Sequence, residues 1–407
     1  MYNNLMAEDI YYHKTISFRA VKHNLLFRTS QELFSSHDID TGTRFLLRTI
    51  VEAGYGNFQR ILDVGCGYGA LGLTLKSLHP DSVVHLLDRD ALAVDYSRQN
   101  AALNGLKGIT VYGSLGYDDV PGNDFDLIVS NIPGKAGENV IAYLLPEARY
   151  YLAPGGIVAV VVVSPLEEMV SKVLAETPGA EIILRRSRSS HIVFHYRFKR
   201  NITPLKPDLT ALARGVYRRQ TVTMRLDDFA YTLQTAYGLP EFDSLSYSSE
   251  MLVSGLFDLR DRNLQKTIVF NPGQGHIPVA LWKLLHPQNI TLVDRDLLAL
   301  RYSRLNLIAN DCPLENISIL HQVGIDLNTA EKSDLILGVL REEEGKDATF
   351  LTIDQGGAQL SPGGIIVLSS ASTAITRLVA YVASQGSLRI KTRERRRGNS
   401  LLVLERA

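Results

Sequence analysis

Short apolar runs alternate with stretches of helical periodicity along the first half of the chain. Seven such runs predict β-strands, at 60–65, 82–88, 109–113, 126–131, 155–163, 181–186 and 191–198, and the first four end in polar or glycine residues. Residues 91–105 and 138–156 lie between strands and have helical spacing. The alternation predicts an α/β fold, a doubly wound sheet with crossover helices.

Two features refine this sheet. The run GGIVAVVVV (155–163) is continuously apolar and β-branched, which is typical of a strand buried on both faces of a parallel sheet. Only a short SRSS turn separates 181–186 from 191–198, so we expect these two strands to form a terminal antiparallel hairpin. Upstream, LFSSHDIDTGTRFLLRTI (33–50) predicts a turn followed by a helix that covers the first edge of the sheet.

The second half repeats the first. LLDRDALAVDYSRQNAALNG, from Leu86, returns from Leu292 as LVDRDLLALRYSRLNLIAND, with 11 of 20 positions identical. The strand-like runs also recur, at 267–271, 290–296, 317–322, 334–338, 363–370, 387–393 and 400–406. The chain therefore contains one domain twice. We expect domains over 1–200, with a lead-in over 1–55, and over 210–407, joined by a linker at 201–209 that contains two prolines.

Composition supports an ordinary globular protein. The chain has 407 residues, of which 45% are hydrophobic and 21% charged, and no apolar run approaches a membrane span. Met1–Ile10 carries no signal-peptide pattern. Two cysteines without a CxxC or a Cys/His cluster argue against disulfides and zinc. We expect a cytoplasmic protein without a metal site.

The net charge is zero, but basic residues cluster locally. Residues 185–200 hold six Lys or Arg and no acid, and 391–397 is also strongly basic. Two interpretations stay open: solvated edge strands protected from aggregation, or a footprint for a phosphate backbone. The same two apply to the arginines near the junction, Arg214, Arg218, Arg219 and Arg225.

A glycine loop, DVGCGYG (63–69), follows the first strand and opens a helix. Its glycines permit a tight turn and let backbone N–H groups approach a ligand at the helix N-terminus. Asp88 ends the next strand, where a ribose diol would lie. Together these features indicate a nucleoside cofactor without separating NAD from S-adenosylmethionine.

Two details favour S-adenosylmethionine. The loop has its acid, Asp63, inside the strand and lacks the G-x-G-x-x-G spacing of dinucleotide sites. In addition, FDLIVSNIPGKAG (125–137) places Asn131 at the carboxyl edge of the sheet. Two acceptors lie there, the amide oxygen of Asn131 and the backbone carbonyl of Ile132. Both can accept hydrogen bonds from an amine and orient it for attack. The alternative for Asn131 is an ordinary turn residue.

These motifs resemble the class I methyltransferases of the methyltransferase small domain family, and the tandem arrangement is similar to ribosomal RNA guanine-N2 methyltransferases. The resemblance implies two Rossmann-like domains, each a seven-stranded, mostly parallel sheet with an antiparallel last pair, S-adenosylmethionine as cofactor, and methylation of an exocyclic amine. It implies cofactor-binding positions at Asp63, Gly65, Cys66, Gly67, Asp88, Arg89, Ser114 and Asn131, and catalytic positions at Asn131, Ile132 and Pro133. Cys66 itself is expected to be a small residue packed in the loop.

The chain departs from the family pattern at two levels. Ile132 replaces the first proline of the N-P-P-F/Y signature, and Gly134 replaces the aromatic residue, whose stacking is worth roughly 1–3 kcal/mol per base. In the second half, Val269, Asn271, Val339 and Arg341 stand where the first has Asp63, Gly65, Asn131 and Pro133, whereas Gly273, Gly275 and Asp294 remain. We therefore expect a catalytic first half and a degenerate second half that binds substrate or acts as a scaffold. The tandem RNA enzymes have the reverse order.

The sequence thus predicts a methyltransferase that acts on an exocyclic amine, with RNA as substrate and guanine N2 of ribosomal RNA ahead of adenine N6. Two alternatives stay open. One is a protein glutamine or small-molecule N-methyltransferase. The other is a catalytically inactive, RNA-binding pseudo-methyltransferase.

Overall fold

The computed structural model describes residues 9–199, 206–226, 229–327 and 331–407. The chain divides into two compact units between Tyr217 and Arg218. The predicted start of the second domain, residue 210, lies before this division, because the backbone N–H of Ala211 donates to Asp118 of the first unit (2.7 Å). Most of the predicted linker, and residues 1–8 of the segment tested for a signal pattern, lie outside the described residues.

The first unit contains two sheets and their covering helices. Its elements are β1 (Lys14–Ala20), β2 (His23–Thr29), α1 (Thr41–Ala53), β3 (Arg60–Val64), α2 (Ala70–Leu78), β4 (Val83–Asp88), α3 (Ala91–Leu103), β5 (Ile109–Gly113), β6 (Phe125–Asn131), α4 (Glu138–Glu147), β7 (Leu152–Val163), α5 (Glu167–Glu176), β8 (Ala180–Arg188) and β9 (His191–Phe198). The large sheet has the order β5-β4-β3-β6-β7-β9-β8. Only β9 runs antiparallel to its neighbours, β7 and β8.

The second unit repeats this order. Its elements are β10 (Arg218–Leu226), β11 (Phe229–Ala236), α6 (Tyr247–Leu256), β12 (Lys266–Phe270), α7 (His276–Leu285), β13 (Asn289–Asp294), α8 (Leu297–Ala309), β14 (Ile317–His321), β15 (Ser333–Val339), α9 (Gly345–Gln359), β16 (Leu360–Ala371), α10 (Ser372–Gln385), β17 (Leu388–Arg396) and β18 (Asn399–Arg406). Its large sheet has the order β14-β13-β12-β15-β16-β18-β17. The predicted fold class, two tandem seven-stranded Rossmann-like domains with antiparallel last pairs, is confirmed.

Strand β7 lies at the centre of the first core. Val158 to Val162 are each 2% exposed or less, as the β-branched run predicts for a strand covered on both faces. The helix predicted over 138–156 was too long, since α4 ends at Glu147. The apolar residues that follow enter β7 instead, where Leu152 pairs with Phe125 of β6.

Helix α1 begins at the predicted turn. Asp40 is its N-cap and accepts a hydrogen bond from the Thr43 N–H, and Gly54 ends it with a left-handed backbone (φ 61°). The prediction that α1 covers the first edge of the sheet was wrong. The helix packs on β7 and β9, because the next strand, β3, lies inside the sheet and the edges are β5 and β8.

Each unit also carries a two-stranded hairpin that the sequence analysis missed: β1-β2 in the first and β10-β11 in the second. In the first unit, Asn100 of α3 and Asn104, the residue that ends this helix, form hydrogen bonds with the backbone of β2. Asn100 exchanges hydrogen bonds with the backbone of Arg28, and Asn104 with that of Leu26. Asn100 also donates to the carbonyl of Tyr68 in the glycine loop (2.9 Å).

The second unit docks its hairpin in the same way. Asn306 of α8 exchanges hydrogen bonds with the backbone of Gln234, and Asn310 donates to the Thr232 carbonyl. These two asparagines are among the identical positions of the repeat. The duplicated unit therefore includes the hairpin as well as the large sheet.

The described helices include none that combines the length and the apolar character needed to cross a membrane. Nor do the described residues bring three or more His, Cys, Asp or Glu side chains together as a metal site.

Candidate active site

The predicted site residues meet at one edge of the first large sheet. Strands β4, β3 and β6 are adjacent and parallel, so their carboxyl ends lie side by side. Asp63 and the glycine loop stand at the end of β3, Asp88 at the end of β4 and Asn131 at the end of β6. This edge is where ligand sites form in open α/β sheets.

The glycine loop borders open space. Gly65 and Gly67 have positive φ angles of 76° and 56°, and a Cβ added at either would meet nothing within 4 Å. Gly69 has a different task, because a Cβ there would lie 2.8 Å from Leu73 Cδ1 of α2. The first two glycines thus keep the backbone accessible to a ligand, and the third allows the helix to pack closely.

Asp63 is buried, and only one of its two carboxylate oxygens accepts a hydrogen bond from the described residues. Its Oδ2 accepts from the backbone N–H of Gly72 (2.8 Å), whereas its buried Oδ1 has no hydrogen-bond partner among the described residues. Burial raises the pKa of Asp63 to about 7; the Gly72 hydrogen bond opposes this rise and the nearby Asp88 carboxylate adds to it. Such a carboxylate oxygen suits a ligand with a cationic group.

Asp88 supports the loop from the neighbouring strand. Its Oδ2 accepts from the Gly67 N–H (2.9 Å) and its Oδ1 from the Asp90 N–H (3.0 Å). Burial raises the pKa of Asp88 despite these bonds and the positive charge of Arg89. Each carboxylate oxygen can accept more than one hydrogen bond, so both can still receive ribose hydroxyls. Arg89 directly follows this acid and is half-buried.

Two predicted cofactor-binding residues use their side chains within the protein. The Ser114 hydroxyl donates to the Gly116 carbonyl (2.9 Å) and accepts from the Asp119 N–H (3.2 Å), so it shapes the loop after β5. Cys66 is buried, with its Sγ 3.5 Å from the Ser97 hydroxyl. Burial raises the pKa of the Cys66 thiol well above its usual range, in keeping with a packed, unreactive residue.

Asn131 is held by the start of α1. Its Nδ2 donates to Asp40 Oδ2 (2.9 Å) and to Thr43 Oγ1 (3.0 Å). No residue in the described part of the chain donates to its Oδ1. The sequence analysis missed Asp40 and Thr43, although the N-cap pattern D-x-x-T before the apolar helix could have marked them.

The segment after Asn131 presents backbone rather than an aromatic face. The Ile132 N–H donates to the Val161 carbonyl (3.0 Å) and its side chain is buried. The Pro133 carbonyl accepts from the Ala136 N–H (2.9 Å), which closes a tight turn. Asn131, Ile132 and Pro133 thus lie at the carboxyl edge of the sheet, where β6 ends.

The equivalent region of the second unit is filled by its own side chains. Arg341 makes two hydrogen bonds to Asp294, the counterpart of Asp88, at 2.9 and 2.7 Å. Asn271, in the place of Gly65, donates to the Val339 carbonyl (2.9 Å) and so joins the first loop to the end of β15. Val269, in the place of Asp63, is fully buried. Arg341 thus pairs with the acid, and Asn271 links the first loop to the end of β15. In the first unit the counterpart acid, Asp88, instead accepts from the backbone N–H of Gly67.

The two basic stretches form the edge strands β8 and β17 with their hairpin partners. In the first stretch, three arginines pair with acids: Arg185 with Glu167, Arg186 with Glu52 and Arg197 with Glu181. These pairs favour the edge-strand interpretation there. Arg200 lies outside the described residues.

The second stretch is more open. Arg393 donates to the Thr376 hydroxyl. Arg395 and Arg396 are exposed, and the described residues show no acidic partner for them. This stretch keeps positive charge available to an anionic ligand.

Three of the four junction arginines bond within their own units. Arg214 pairs with the buried Glu147 (2.8 Å). Arg218 donates to the Thr221 hydroxyl (3.2 Å). Arg219 binds both carboxylate oxygens of Asp243 and stacks on Phe242, 3.9 Å from its ring centroid.

The raised pKa of Asp63 makes stability depend on pH. Because its pKa is about 7 in the folded protein and 3.8 for an unperturbed aspartate, the folded state binds more protons between these values. Stability therefore falls as pH rises through this window. We expect the thermal unfolding midpoint of the ligand-free protein to decrease as the pH is raised from 5 to 8, and to decrease less in Asp63→Asn.

Calorimetry over this range measures the effect. Asp126→Asn is the matched control, since Asp126 accepts backbone hydrogen bonds at the opposite, amino end of the same sheet. Identical pH slopes in wild type and Asp63→Asn would contradict the assignment.

Comparisons with known proteins agree on one family. The model of the "Methyltransferase small domain" family matches residues 24–182. Uncharacterized protein YbxB of Bacillus subtilis (strain 168) is 33% identical over 148 residues, which are 35% of this chain and 71% of that protein. Ribosomal RNA small subunit methyltransferase C of Haemophilus influenzae is 33% identical over 150 residues, 36% of this chain and 42% of the relative. The match spans less than half of that relative.

A solved structure matches both units. It is the 16S rRNA N2-guanine methyltransferase of T. thermophilus in complex with AdoMet and guanosine, with a TM-score of 0.66 and 17% identity over 98% of this chain and 99% of that one. At this identity the match shows a shared tandem fold. The family match and the relatives go further: this chain belongs to the methyltransferase small domain family and is an S-adenosylmethionine-dependent methyltransferase.

Proposed function

We propose that the first unit methylates an exocyclic amine of structured RNA, with guanine N2 of ribosomal RNA as the first candidate. The observation that carries this proposal is the hydrogen bonding of the Asn131 side-chain amide. Its NH2 group is held by α1, whereas no described residue donates to its oxygen. That oxygen and the adjacent Ile132 carbonyl form a pair of acceptors suited to the two N–H bonds of an amine.

The acceptor pair would position the substrate amine for methyl transfer. Hydrogen bonds from the amine to Asn131 and Ile132 fix the nitrogen and direct its lone pair towards the methyl donor. When bound, S-adenosylmethionine would supply the activated methyl group. As the N–C bond forms and the S–C bond breaks, S-adenosylhomocysteine would leave and the amine would lose one proton to solvent, so no covalent enzyme intermediate is needed. Pro133 holds this short segment in its turn.

The remaining predicted residues fit the cofactor. The unpartnered Oδ1 of Asp63 suits the ammonium group of the methionine part, and the open backbone at Gly65 and Gly67 leaves room for it. Asp88 would hold the ribose hydroxyls, with Arg89 beside the adenine. Ser114 contributes to the shape of the adenine side through its loop.

RNA is favoured by the relatives. The curated relatives include ribosomal RNA methyltransferases of the small and the large subunit, and the fold neighbour was solved with guanosine. The matched segment covers only part of those relatives, so the substrate itself belongs to the proposal. The exposed arginines of β17 offer a surface for phosphates.

Substitution of Asn131 tests its role in methyl transfer. We expect Asn131→Ala to lower methyl transfer at least ~10²-fold, the loss seen when one preorganised polar partner is removed. The measurement uses labelled S-adenosylmethionine and extract from a strain that lacks the protein, with label counted in RNA, protein and metabolite fractions.

The fractions separate the alternatives. Label in protein or metabolites would indicate an amide or small-molecule amine, and no label in any fraction would indicate a pseudo-methyltransferase. Asn24→Ala, at an exposed asparagine of the hairpin, is the control. Near-normal activity of Asn131→Ala would remove Asn131 from the catalytic site.

Affinity for RNA should fall steeply with salt, because each neutralised phosphate releases counterions. In anisotropy titrations with ribosomal RNA fragments, we expect Arg395→Ala/Arg396→Ala to lower the log–log slope by roughly one unit per lost contact. Arg185→Ala is the control, since Arg185 pairs with Glu167. An affinity independent of salt would contradict RNA as the substrate.

The filled second unit predicts a single cofactor site in each chain. Calorimetric titration with S-adenosylmethionine should give one site in the wild type and no detectable binding in Asp88→Ala. Asp294→Asn should bind as the wild type does, since Arg341 already occupies that acid. Two sites per chain, or loss of binding in Asp294→Asn, would show that the second unit also holds cofactor.

A further inference from the structure

We propose that Asp40 and Thr43 are positioning residues that set the orientation of the Asn131 amide. The inference rests on the proposed function of Asn131 and names what makes that function possible. Asp40 and Thr43 lie at the start of α1, about 90 positions before Asn131, and both accept from its Nδ2.

The chemistry of the contacts fixes the orientation. Asp40 Oδ2 already accepts from the Thr43 N–H (3.0 Å), so it acts as an acceptor in this cluster. The Asn131 group that faces it must therefore be the NH2 donor, and the amide oxygen must face the other way. A flipped amide would place its NH2 against the substrate amine, and two donors cannot bond each other.

Gly42 leaves room for the Asp40 carboxylate. A Cβ added to Gly42 would come within 2.8 Å of Asp40 Oδ2 and within 2.8 Å of the His191 ring. The Thr43 N–H holds the same carboxylate oxygen by its hydrogen bond. Glycine at position 42 permits the start of α1 to approach both the carboxylate and β9.

The second unit serves as an internal control. At the same offset as the repeat, Ser246 stands in the place of Asp40, and it still caps α6 by accepting from the Ser249 N–H (3.2 Å). The position of Asn131 is Val339, which has no amide to orient. Serine is therefore sufficient for the cap, and the longer carboxylate occurs in the unit that has the asparagine.

This comparison supplies a variant that separates the two roles. Serine and aspartate are similar N-caps, so Asp40→Ser should keep α1 intact. A serine side chain is too short to replace the carboxylate contact to Asn131. We expect Asp40→Ser to lower kcat on ribosomal RNA roughly 10- to 100-fold, the loss of one charge-assisted hydrogen bond, with KM for S-adenosylmethionine within about threefold.

Conservative variants should rescue the effect. Asparagine keeps an acceptor oxygen of the right length, so Asp40→Asn should recover most of kcat. Thr43→Val should lower kcat and Thr43→Ser should restore it, because only the hydroxyl accepts from Asn131. Asp38→Ser, a nearby acid that pairs with Arg44, is the control and should leave kcat unchanged.

A second readout does not depend on turnover. In the cofactor-free protein, NMR resonances of the Asn131 side-chain NH2 can be assigned by their absence in Asn131→Ala. We expect these protons to exchange slowly with water in the wild type and faster in Asp40→Ser, with the thermal unfolding midpoint of both proteins within about 2 °C.

The outcomes distinguish this inference from the function beneath it. If Asn131→Ala is inactive but Asp40→Ser and Thr43→Val keep full kcat and slow exchange, the positioning role is wrong and the proposed function stands. If Asn131→Ala is itself active, the proposed function fails. If Asp40→Ser unfolds, Thr43→Val decides alone, because it leaves the cap side chain in place.

Discussion

Burying a carboxylate at the edge of a sheet costs several kcal/mol unless a partner offsets the lost hydration, and the site is organised around this cost. In the first unit, the described residues that donate to Asp63 and Asp88 are backbone N–H groups, and they include no donor to Oδ1 of Asp63. In the second unit, valine replaces the first acid and Arg341 neutralises the second. The buried acids of the first unit therefore favour the binding of a cationic ligand. In the second unit, Arg341 already pairs with the remaining acid.

The same contrast explains why duplication could lead to different roles. Both units keep the sheet order, the glycine with the left-handed backbone before α2 and α7, and the asparagines that dock the hairpin. These features stabilise a domain whether or not it binds a ligand. At the carboxyl edge the two units differ in the predicted site residues, since Val269, Asn271, Val339 and Arg341 replace Asp63, Gly65, Asn131 and Pro133.

The large sheets could be predicted because their strands are continuous apolar runs whose burial decides their structure. The hairpins were missed because β1 and β2 lie outside the large sheet and are docked by Asn100 and Asn104, more than 70 positions away. Asp63, Asp88 and Asn131 were found from local spacing. Asp40, Thr43 and Arg341 were not assigned, because each acts through a partner that is distant in sequence and close only after folding.

Asn100 has one further consequence. The same side-chain amide bonds the backbone of β2 at Arg28 and the glycine loop at Tyr68. Docking of the hairpin and ordering of the loop are therefore thermodynamically linked: whatever favours one must favour the other to the same extent. A macromolecule that binds the exposed side of the hairpin would order the glycine loop, and a ligand bound to that loop would in return protect β2 from local opening.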